Sequence, residues 1–291
     1  MFPWTDDDRI PIVMAGTLSE TPIVRIRRFV GDLRALLRIF GKTISRTKLD
    51  VHFNLPVVCS VTTNGSRPFS LVLAINSVWL QKSVPELIFV SCPEAKVDRI
   101  ARLLKRFCLG NYQLVGLSRD RGPAEKYLCA RSHYADRIIV TFDDDVTYDA
   151  NWLTELWHCH VKHPFALCGH RGVVLSWNSH YSTARRVDAL EEFVSNDLLL
   201  TGHGGILYPP GVLRATVDDV EKMMQLCPGN DDIWINLVAT EDDVPRILCR
   251  STRREPAAHP WVQRKALWKK NVRGGRNAIY WQACGRYLEL S

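Results

Sequence analysis

Residues 138–145 have the sequence IIVTFDDD, an apolar stretch that runs directly into three carboxylates. The apolar part predicts a buried strand, and in open α/β sheets ligands bind at the carboxyl ends of the strands. Because adjacent carboxylates repel one another, a site there favours Mg²⁺ or Mn²⁺, which prefers oxygen ligands and shares them with substrate phosphates. Side chains alternate along an extended backbone, so Asp143 and Asp145 are expected on one side and Asp144 on the other. The plainer interpretation is an acidic loop that caps the helix predicted from Asn151.

Strands and helices alternate upstream of this stretch. Apolar strands are predicted at 56–61, 87–90, 112–117 and 137–142, and helices at 70–81, 95–107 and 123–135. Short links in such an alternation indicate βαβ units, so we expect an α/β fold with a mostly parallel, doubly wound, Rossmann-like sheet. Downstream the pattern loosens, with helices predicted at 151–163, 217–226 and 231–240 and extended chain at 167–176 and 198–208.

The first 50 residues differ from the rest and are interpreted as an N-terminal helical extension. Residues 25–46 combine apolar positions at helical spacing with repeated basic residues, which predicts a basic amphipathic helix. We expect this helix to pack on the main domain. The alternative is peripheral membrane contact through 25–46, close to a lipid-borne acceptor.

The bulk composition is that of an ordinary globular protein, with 291 residues, 46% of them hydrophobic, and a formal net charge of +7. That charge favours solubility or attraction to anionic partners such as nucleotide diphosphates, lipid phosphates or nucleic acid. No apolar run reaches the ~18 residues of a membrane span, and the acidic N-terminus lacks secretory-signal features, so a cytoplasmic location is expected. The nine cysteines are scattered without a CxxC pair, which argues against a zinc site or a disulfide framework.

Three further segments carry candidate chemistry. Asp231 and Asp232 precede an apolar helix, where one could act as a base toward an acceptor hydroxyl, although both also suit helix caps. The glycine-rich segment 201–211 allows close backbone approach to a ligand, and its His203 could bind metal or acceptor, but a tight turn is the simpler interpretation. Lys126 lies in the first turns of a predicted helix and could reach a phosphate, whereas a surface lysine is the commoner case.

Taken in order, these segments resemble the motifs of the GT-A glycosyltransferases, in particular a bacterial and viral group related to family-2 and exostosin-type enzymes. The resemblance covers about residues 56–277. Its motifs are Ser60-Val61-Thr62-Thr63 followed by Arg67; GPxxK at Gly122, Pro123 and Lys126; DDDxxYxxxWL at Asp143 to Leu153; TGxGGxLYPP at Thr201 to Pro210; DDIW at Asp231 to Trp234; and an echo of LWxxNxxGGxN at Leu267 to Asn277. His203 stands where the family usually carries a small apolar residue, which leaves its role open.

The resemblance implies a GT-A domain over 51–291, with a nucleotide-binding half at 51–150 and an acceptor-binding half at 151–291. It implies transfer from a nucleotide diphosphate sugar, commonly UDP-linked, to a hydroxyl of a glycan, lipid or protein acceptor, with Mn²⁺ or Mg²⁺ as cofactor. The implied site residues are Ser60, Thr62 and Arg67 beside the nucleotide; Lys126 beside ribose or phosphate; Asp143 and Asp145 on the metal, with Asp143 also able to meet the ribose; Gly204 and Gly205 at the sugar and acceptor pocket; Asp232, or else Asp231, as the catalytic carboxylate; and His259 as a further metal ligand.

Two other hypotheses use the same features differently. A nucleotidyltransferase that makes nucleotide sugars could place Asp-bound Mg²⁺ on a similar sheet, but residues 62–68 are a poor version of the triphosphate loop it would need. A non-enzymatic nucleic-acid or membrane-surface binder would use the basic charge and the tryptophans. Because the acidic clusters would oppose a polyanion, no nucleic-acid partner is expected.

Overall fold

The computed structural model describes residues 37–45, 53–187, 191–251, 257–259 and 275–290. The strands are β1 (Phe53–Thr62), β2 (Ser83–Pro93), β3 (Tyr112–Leu117), β4 (Ile138–Thr141), β5 (Val146–Thr147), β6 (Leu167–Gly169), β7 (Gly172–Val174), β8 (Arg185–Arg186), β9 (Phe193–Val194), β10 (Leu198–Leu200), β11 (Ile206–Tyr208), β12 (Arg246–Leu248) and β13 (Ala257–Ala258). The helices are α1 (37–45), α2 (Pro68–Trp79), α3 (Val97–Phe107), α4 (Glu125–His133), α5 (Trp152–Lys162), α6 (Val220–Leu226), α7 (Asp231–Glu241) and α8 (Arg276–Leu290).

An eight-stranded sheet with the order β3-β2-β1-β4-β11-β6-β12-β9 forms the centre of the molecule. Six of its strands run in one direction, and β11 and β9 run against them. The predicted α/β class and mostly parallel sheet are therefore confirmed. In β1, Val57, Val58, Cys59 and Val61 are at most 1% exposed, because a parallel strand covered on both faces needs apolar side chains pointing both ways.

Helices cover both faces of this sheet. On one face α2 and α5 pack around a core that includes Leu71 and Leu156. On the other face α4, α7 and α8 pack around a core that includes Leu128, Trp234 and Trp281. The sheet is doubly wound, as expected, and the ends of its strands are the natural place for a ligand.

Strand β11 brings the downstream half of the chain against the upstream half. It lies antiparallel between β4 and β6, with Ile206 opposite Thr141 and Tyr208 opposite Ile139. The glycine-rich segment that precedes β11 therefore ends beside the carboxyl end of β4, where the acidic triplet begins.

The downstream predictions are confirmed in outline. The helix predicted at 231–240 is α7, and the extended stretches form β6 and β7 and then β10 and β11, the last two separated by a 3₁₀ turn at Gly202–Gly204. The helix predicted at 217–226 is divided into a 3₁₀ turn at Ala215–Asp218 and α6. The division occurs because the Asp219 side chain caps α6 by accepting a hydrogen bond from the Lys222 backbone N–H at 2.9 Å.

The described part of the predicted 25–46 helix is α1, and it packs on the main domain. Ile39 contacts Leu73 and Leu80 on and after α2, and Asn76 Nδ2 donates a hydrogen bond to Thr43 Oγ1 at 3.0 Å. The remainder of that prediction, with most of the extension over residues 1–50, lies outside the described residues. Among the described helices, none combines the length and the apolar character needed to cross a membrane.

Candidate active site

The acidic triplet lies on a turn at the carboxyl end of β4. Phe142 is buried and packs edge-on against Tyr148 and Trp152. The turn is fixed because the Asp143 backbone N–H donates a hydrogen bond to the Tyr148 hydroxyl at 2.9 Å. Helix α5 begins at Trp152, after the acidic triplet. Its N-cap residue is Asn151, and the Asn151 side chain accepts no capping hydrogen bond from the first turn. The interpretation of the triplet as a helix cap is therefore wrong.

Lys126 is the central cation of the site. It lies in the first turn of α4, yet only 6% of its side chain is exposed, so the surface-lysine interpretation is wrong. Its Nζ lies 3.0 Å from Asp143 Oδ1 and 2.9 Å from Asp231 Oδ2. Burial lowers the pKa of Lys126, but the charges of Asp143, Asp231 and Asp232 outweigh burial and hold that pKa well above its usual value. A charged, buried lysine thus joins the end of β4 to the start of α7.

Asp143 is the most strongly ionised carboxylate of the triplet. Burial favours its protonated form, but the charge of Lys126 and the His203 ring outweigh burial and place the pKa of Asp143 well below its usual range. The His203 Nδ1 lies 3.8 Å from Asp143 Oδ2. His203 therefore borders the acidic triplet, although the resemblance left its role open.

Asp144 and Asp145 lie toward β1 and the start of α2. Thr63 Oγ1 donates a hydrogen bond to Asp144 Oδ2 at 2.6 Å, and Arg67 reaches Asp145 Oδ2 at 2.9 Å and Asp144 Oδ1 at 3.6 Å. The prediction that Asp144 points away from the site is wrong, because the turn after β4 ends the alternation of side chains. Burial raises the pKa of Asp144 to about 6, and burial together with the charge of Asp143 raises the pKa of Asp145.

The second acid pair faces the same site from the start of α7. The cap of α7 is Asn230, whose side chain accepts a hydrogen bond from the Ile233 N–H at 3.0 Å, so neither aspartate is needed for that role. Asp231 pairs with Lys126, and Asp232 Oδ1 accepts a hydrogen bond from the Gly202 N–H at 2.7 Å. Burial and the charge of Asp231 raise the pKa of Asp232 to about 7.

His259 lies directly behind the triplet. Strand β13 pairs with β5, and the His259 N–H donates a hydrogen bond to the Asp145 carbonyl at 2.9 Å. Its Nε2 is hydrogen-bonded to Thr147 Oγ1 at 3.1 Å. Burial and the nearby Arg67 lower the pKa of His259 to about 4, so the ring is neutral at pH 7, which is the form that ligates metals.

The three residues predicted to contact the nucleotide, Ser60, Thr62 and Arg67, differ in burial and in hydrogen-bond partners. Ser60 is completely buried inside the sheet and offers no accessible surface to a ligand. Thr62 Oγ1 donates a hydrogen bond to the Ser91 carbonyl at 3.4 Å, on the side of β2. Arg67 joins the acidic triplet, as does Thr63, which the motif contained but which was not among the predicted contacts. Its position one residue beyond β1 is the signal that could have identified it.

Gly204 and Gly205 are buried against Trp152. The indole Nε1 donates a hydrogen bond to the Gly204 carbonyl at 2.7 Å. Gly205 has φ of 87°, and a Cβ there would lie 2.8 Å from Trp152 Nε1. Both the backbone conformation and the close approach therefore require glycine, which is a packing reason for the residue. A part in the sugar and acceptor pocket stays a prediction.

Gly205→Ala is expected to lower the free energy of unfolding by about 2–4 kcal/mol, through strain at positive φ and collision with the Trp152 ring. Gly211→Ala is the matched control, because Gly211 also has positive φ but a Cβ there would meet nothing within 4 Å. Urea unfolding of both variants separates collision from strain. Equal losses in the two variants would contradict the packing argument.

A cavity of about 750 Å³ opens elsewhere, among β3, α4 and α6. Its lining includes Arg119 and Arg121 but none of the five aspartates described above. Arg121 pairs with Glu125, the residue before Lys126, so the cavity and the acidic site share the start of α4. The candidate active site is therefore identified by its cluster of charged side chains and not by this cavity.

Comparisons with known proteins give distant structural likenesses. Protein-family models and curated proteins give no match. A mannosyltransferase from Pyrobaculum calidifontis, solved with GDP-mannose and Mn²⁺, is 15% identical over 81% of this chain, which spans only 65% of that protein, with a TM-score of 0.39. An apo UDP-glucose pyrophosphorylase is 10% identical over 82% of this chain and 99% of its own, with a TM-score of 0.39. A CMP:2-keto-3-deoxy-manno-octonic acid synthetase solved with CTP is 10% identical over 66% and 87% of the two chains, with a TM-score of 0.41. At these identities and TM-scores the likenesses assign no function to this chain.

Proposed function

We propose that this chain is a metal-dependent glycosyltransferase that moves a sugar from a nucleotide diphosphate donor to a hydroxyl acceptor. The observation that carries the proposal is the meeting of two distant acidic segments, 143–145 and 231–232, around buried Lys126. Sugar transfer needs positive charge to stabilise the departing diphosphate and a base to take the acceptor's proton. We assign the metal and the departing diphosphate to segment 143–145, and the base to segment 231–232.

The acidic triplet supplies the oxygen ligands that a hard divalent cation prefers. The site gathers more negative than positive groups, namely Asp143, Asp144, Asp145, Asp231 and Asp232 against Lys126 and Arg67. Like charges contribute to the raised pKa values of Asp144 and Asp145, and a cation would relieve them. Carboxylate oxygens suit Mg²⁺ and Mn²⁺. Asp143 and Asp145 are the proposed ligands, with His259 as a further one.

A bound divalent cation would supply positive charge to the diphosphate as it leaves. The chain's own cations would bind the same donor from two sides, since Arg67 lies beside Asp145 and Lys126 beside Asp143. Both side chains can donate charge-assisted hydrogen bonds to phosphate oxygens. The nucleotide is thus proposed to lie across the carboxyl ends of β1 and β4.

Asp232 is the proposed base. Its pKa of about 7 lies close to neutral pH, where a base is most effective. The Gly202 N–H fixes Oδ1, and Oδ2 is proposed to accept the hydroxyl proton as the acceptor oxygen bonds to the sugar and the bond to the diphosphate breaks. Asp231 holds Lys126 beside the base.

The proposal is tested by screening nucleotide sugars for thermal stabilisation and slow hydrolysis, with and without Mn²⁺ or Mg²⁺. We expect one donor to raise Tm only when the metal is present and to be hydrolysed slowly. Release of pyrophosphate from a nucleoside triphosphate and a sugar phosphate would identify a nucleotidyltransferase instead. If every nucleotide sugar remained unbound and unconsumed, the proposal would be refuted.

Asp232→Asn is expected to reduce transfer by about 10²–10⁴-fold, the range for loss of a general base. The same variant is expected to be more stable than the unmodified protein at pH 8, while Asn keeps an oxygen for the Gly202 N–H. The pKa of Asp232 is about 7 in the folded state and about 4 in the unfolded state. Between these pH values the folded state keeps the Asp232 proton, whereas the unfolded state has lost it. Stability of the unmodified protein therefore falls as the pH rises from about 4 to about 7.

Urea unfolding at pH 5 and pH 8, with transfer assays, checks both parts. The neighbouring Asp231→Asn is the matched control and is expected to lose stability, because it removes a partner of Lys126. Unchanged transfer in Asp232→Asn, or a stability difference that is the same at both pH values, would contradict the assignment.

A further inference from the structure

Three cysteine thiols meet in the core, away from the acidic site. Cys159 lies on α5, Cys168 lies in β6, and Cys249 directly follows β12. Their sulfur atoms all lie within 4.8 Å of one another, and the three residues are at most 2% exposed. Within the described ranges, this is the group in which three His, Cys, Asp or Glu ligand atoms come that close together.

The fold holds this thiol cluster through long-range contacts. Strand β12 runs parallel to β6, and the Cys249 N–H donates a hydrogen bond to the Gly169 carbonyl at 2.8 Å. Helix α5 packs on β6 and supplies the third sulfur from above the sheet. Because the three positions are distant in sequence, their spacing alone could not indicate a shared site.

Buried cysteines are usually small core residues, and packing alone explains one of them. Three thiols whose sulfur atoms all lie within 4.8 Å of one another are a different case, because three soft ligand atoms already share one small volume, and the Cys168 S–H donates only a weak hydrogen bond to the Ala166 carbonyl at 3.8 Å. Metal ligation requires thiolates, and a bound cation would itself favour their formation.

We propose that Cys159, Cys168 and Cys249 bind one soft cation and that Cu(I) is the ion this geometry favours. Thiolates select soft ions, and a three-coordinate ion with metal–sulfur bonds of about 2.3 Å holds its sulfurs about 4 Å apart, within the observed limit. Zn²⁺ almost always takes four ligands. The cluster is buried, and among the described residues no fourth His, Cys, Asp or Glu ligand joins it.

Binding requires no oxidant or reductant, because copper enters and remains as Cu(I). Each thiol that forms a sulfur–copper bond as a thiolate loses one proton, and that proton passes to solvent. The single positive charge of Cu(I) offsets one of the negative charges that the thiolates bring into the apolar core.

The test is an anaerobic titration of the fully reduced protein with Cu(I), supplied as its bicinchoninate complex. We expect one Cu(I) per chain, an ultraviolet thiolate-to-copper absorption, and an X-ray absorption spectrum with sulfur ligands only. Cys168→Ser should lose that equivalent, whereas Cys129→Ser, a buried cysteine of α4 outside the cluster, should keep it.

A second measurement uses the unmodified protein and so does not depend on how the variants fold. Slow alkylation of the folded protein, which occurs through local opening, should become slower at Cys159, Cys168 and Cys249 when Cu(I) is bound, as read by mass spectrometry. Protection confined to Cys227 and Cys284, preference for Zn²⁺ over Cu(I), or failure to take up Cu(I) would each overturn the proposal. None of these outcomes affects the glycosyltransferase assignment.

Discussion

Asp145→Asn is expected to lower sugar transfer by about 10³-fold or more, which corresponds to about 4 kcal/mol of transition-state stabilisation. Asparagine keeps the shape of the side chain but removes a charged oxygen from the proposed metal ligands. The fold should persist, because burial and the charge of Asp143 raise the pKa of Asp145, so its ionised form is not a net source of stability in the folded state. The Asp145 carbonyl still accepts its hydrogen bond from the His259 N–H.

The measurement is the initial rate of transfer, or of donor hydrolysis, as a function of Mn²⁺ concentration, with circular dichroism as the check on folding. Asp136→Asn, at an exposed position before β4, is the matched control and should retain full activity. A folded Asp145→Asn protein with normal turnover and normal Mn²⁺ dependence would show that the triplet does not serve the metal.

Lys126→Met is expected to produce the largest loss of stability, about 3–5 kcal/mol at pH 7, the range for removing one partner of a buried ion pair. Methionine approximates the length of the lysine stem but leaves Asp143 and Asp231 without their shared cation. Asp143 has a lowered pKa in the folded protein, so its contribution is present above about pH 4 and is lost as the pH falls further. The penalty of the substitution should therefore shrink in acid.

Urea unfolding at pH 7 and at pH 3.5 measures this difference. Lys105→Met on the exposed side of α3 is the control and should change stability little. The double variant Lys126→Met with Asp143→Asn should recover part of the loss, because it removes one of the two stranded charges. A loss below about 1 kcal/mol, or one that is equal at both pH values, would contradict the bridging role of Lys126.

The upstream half of the sheet could be predicted because each of its strands is a short apolar run between helices. Strands β1, β2 and β4 follow from that local pattern, since burial on both faces leaves a continuous apolar signal. The edge strand β3 is only partly buried, and it follows from its apolar residues Leu114, Val115 and Leu117. The position of β11 could not be predicted in this way, because Ile206 pairs with Thr141 across a large sequence separation. Such pairing depends on tertiary packing that no local window contains.

The candidate site, too, could be predicted only where a local sequence pattern specifies it. The pattern of an apolar strand followed by acids identified the triplet, but its turn depends on the Tyr148 hydroxyl, which reverses the expectation for Asp144. The sequence does not predict the burial of Lys126, because its partners Asp143 and Asp231 come from distant parts of the chain. The glycines beside Trp152 were recognised as special, but the packing that requires them becomes visible only in three dimensions.

The placement of β11 between β4 and β6 also limits how the protein can be shortened. A truncated chain that stopped at residue 150 would keep β4 but lose its neighbour, and the backbone N–H and C=O groups along that side would form an open edge. Open edges recruit strands from other molecules, so the fragment should self-associate. We therefore expect the upstream and downstream halves to unfold together, and we expect neither half alone to support the proposed chemistry.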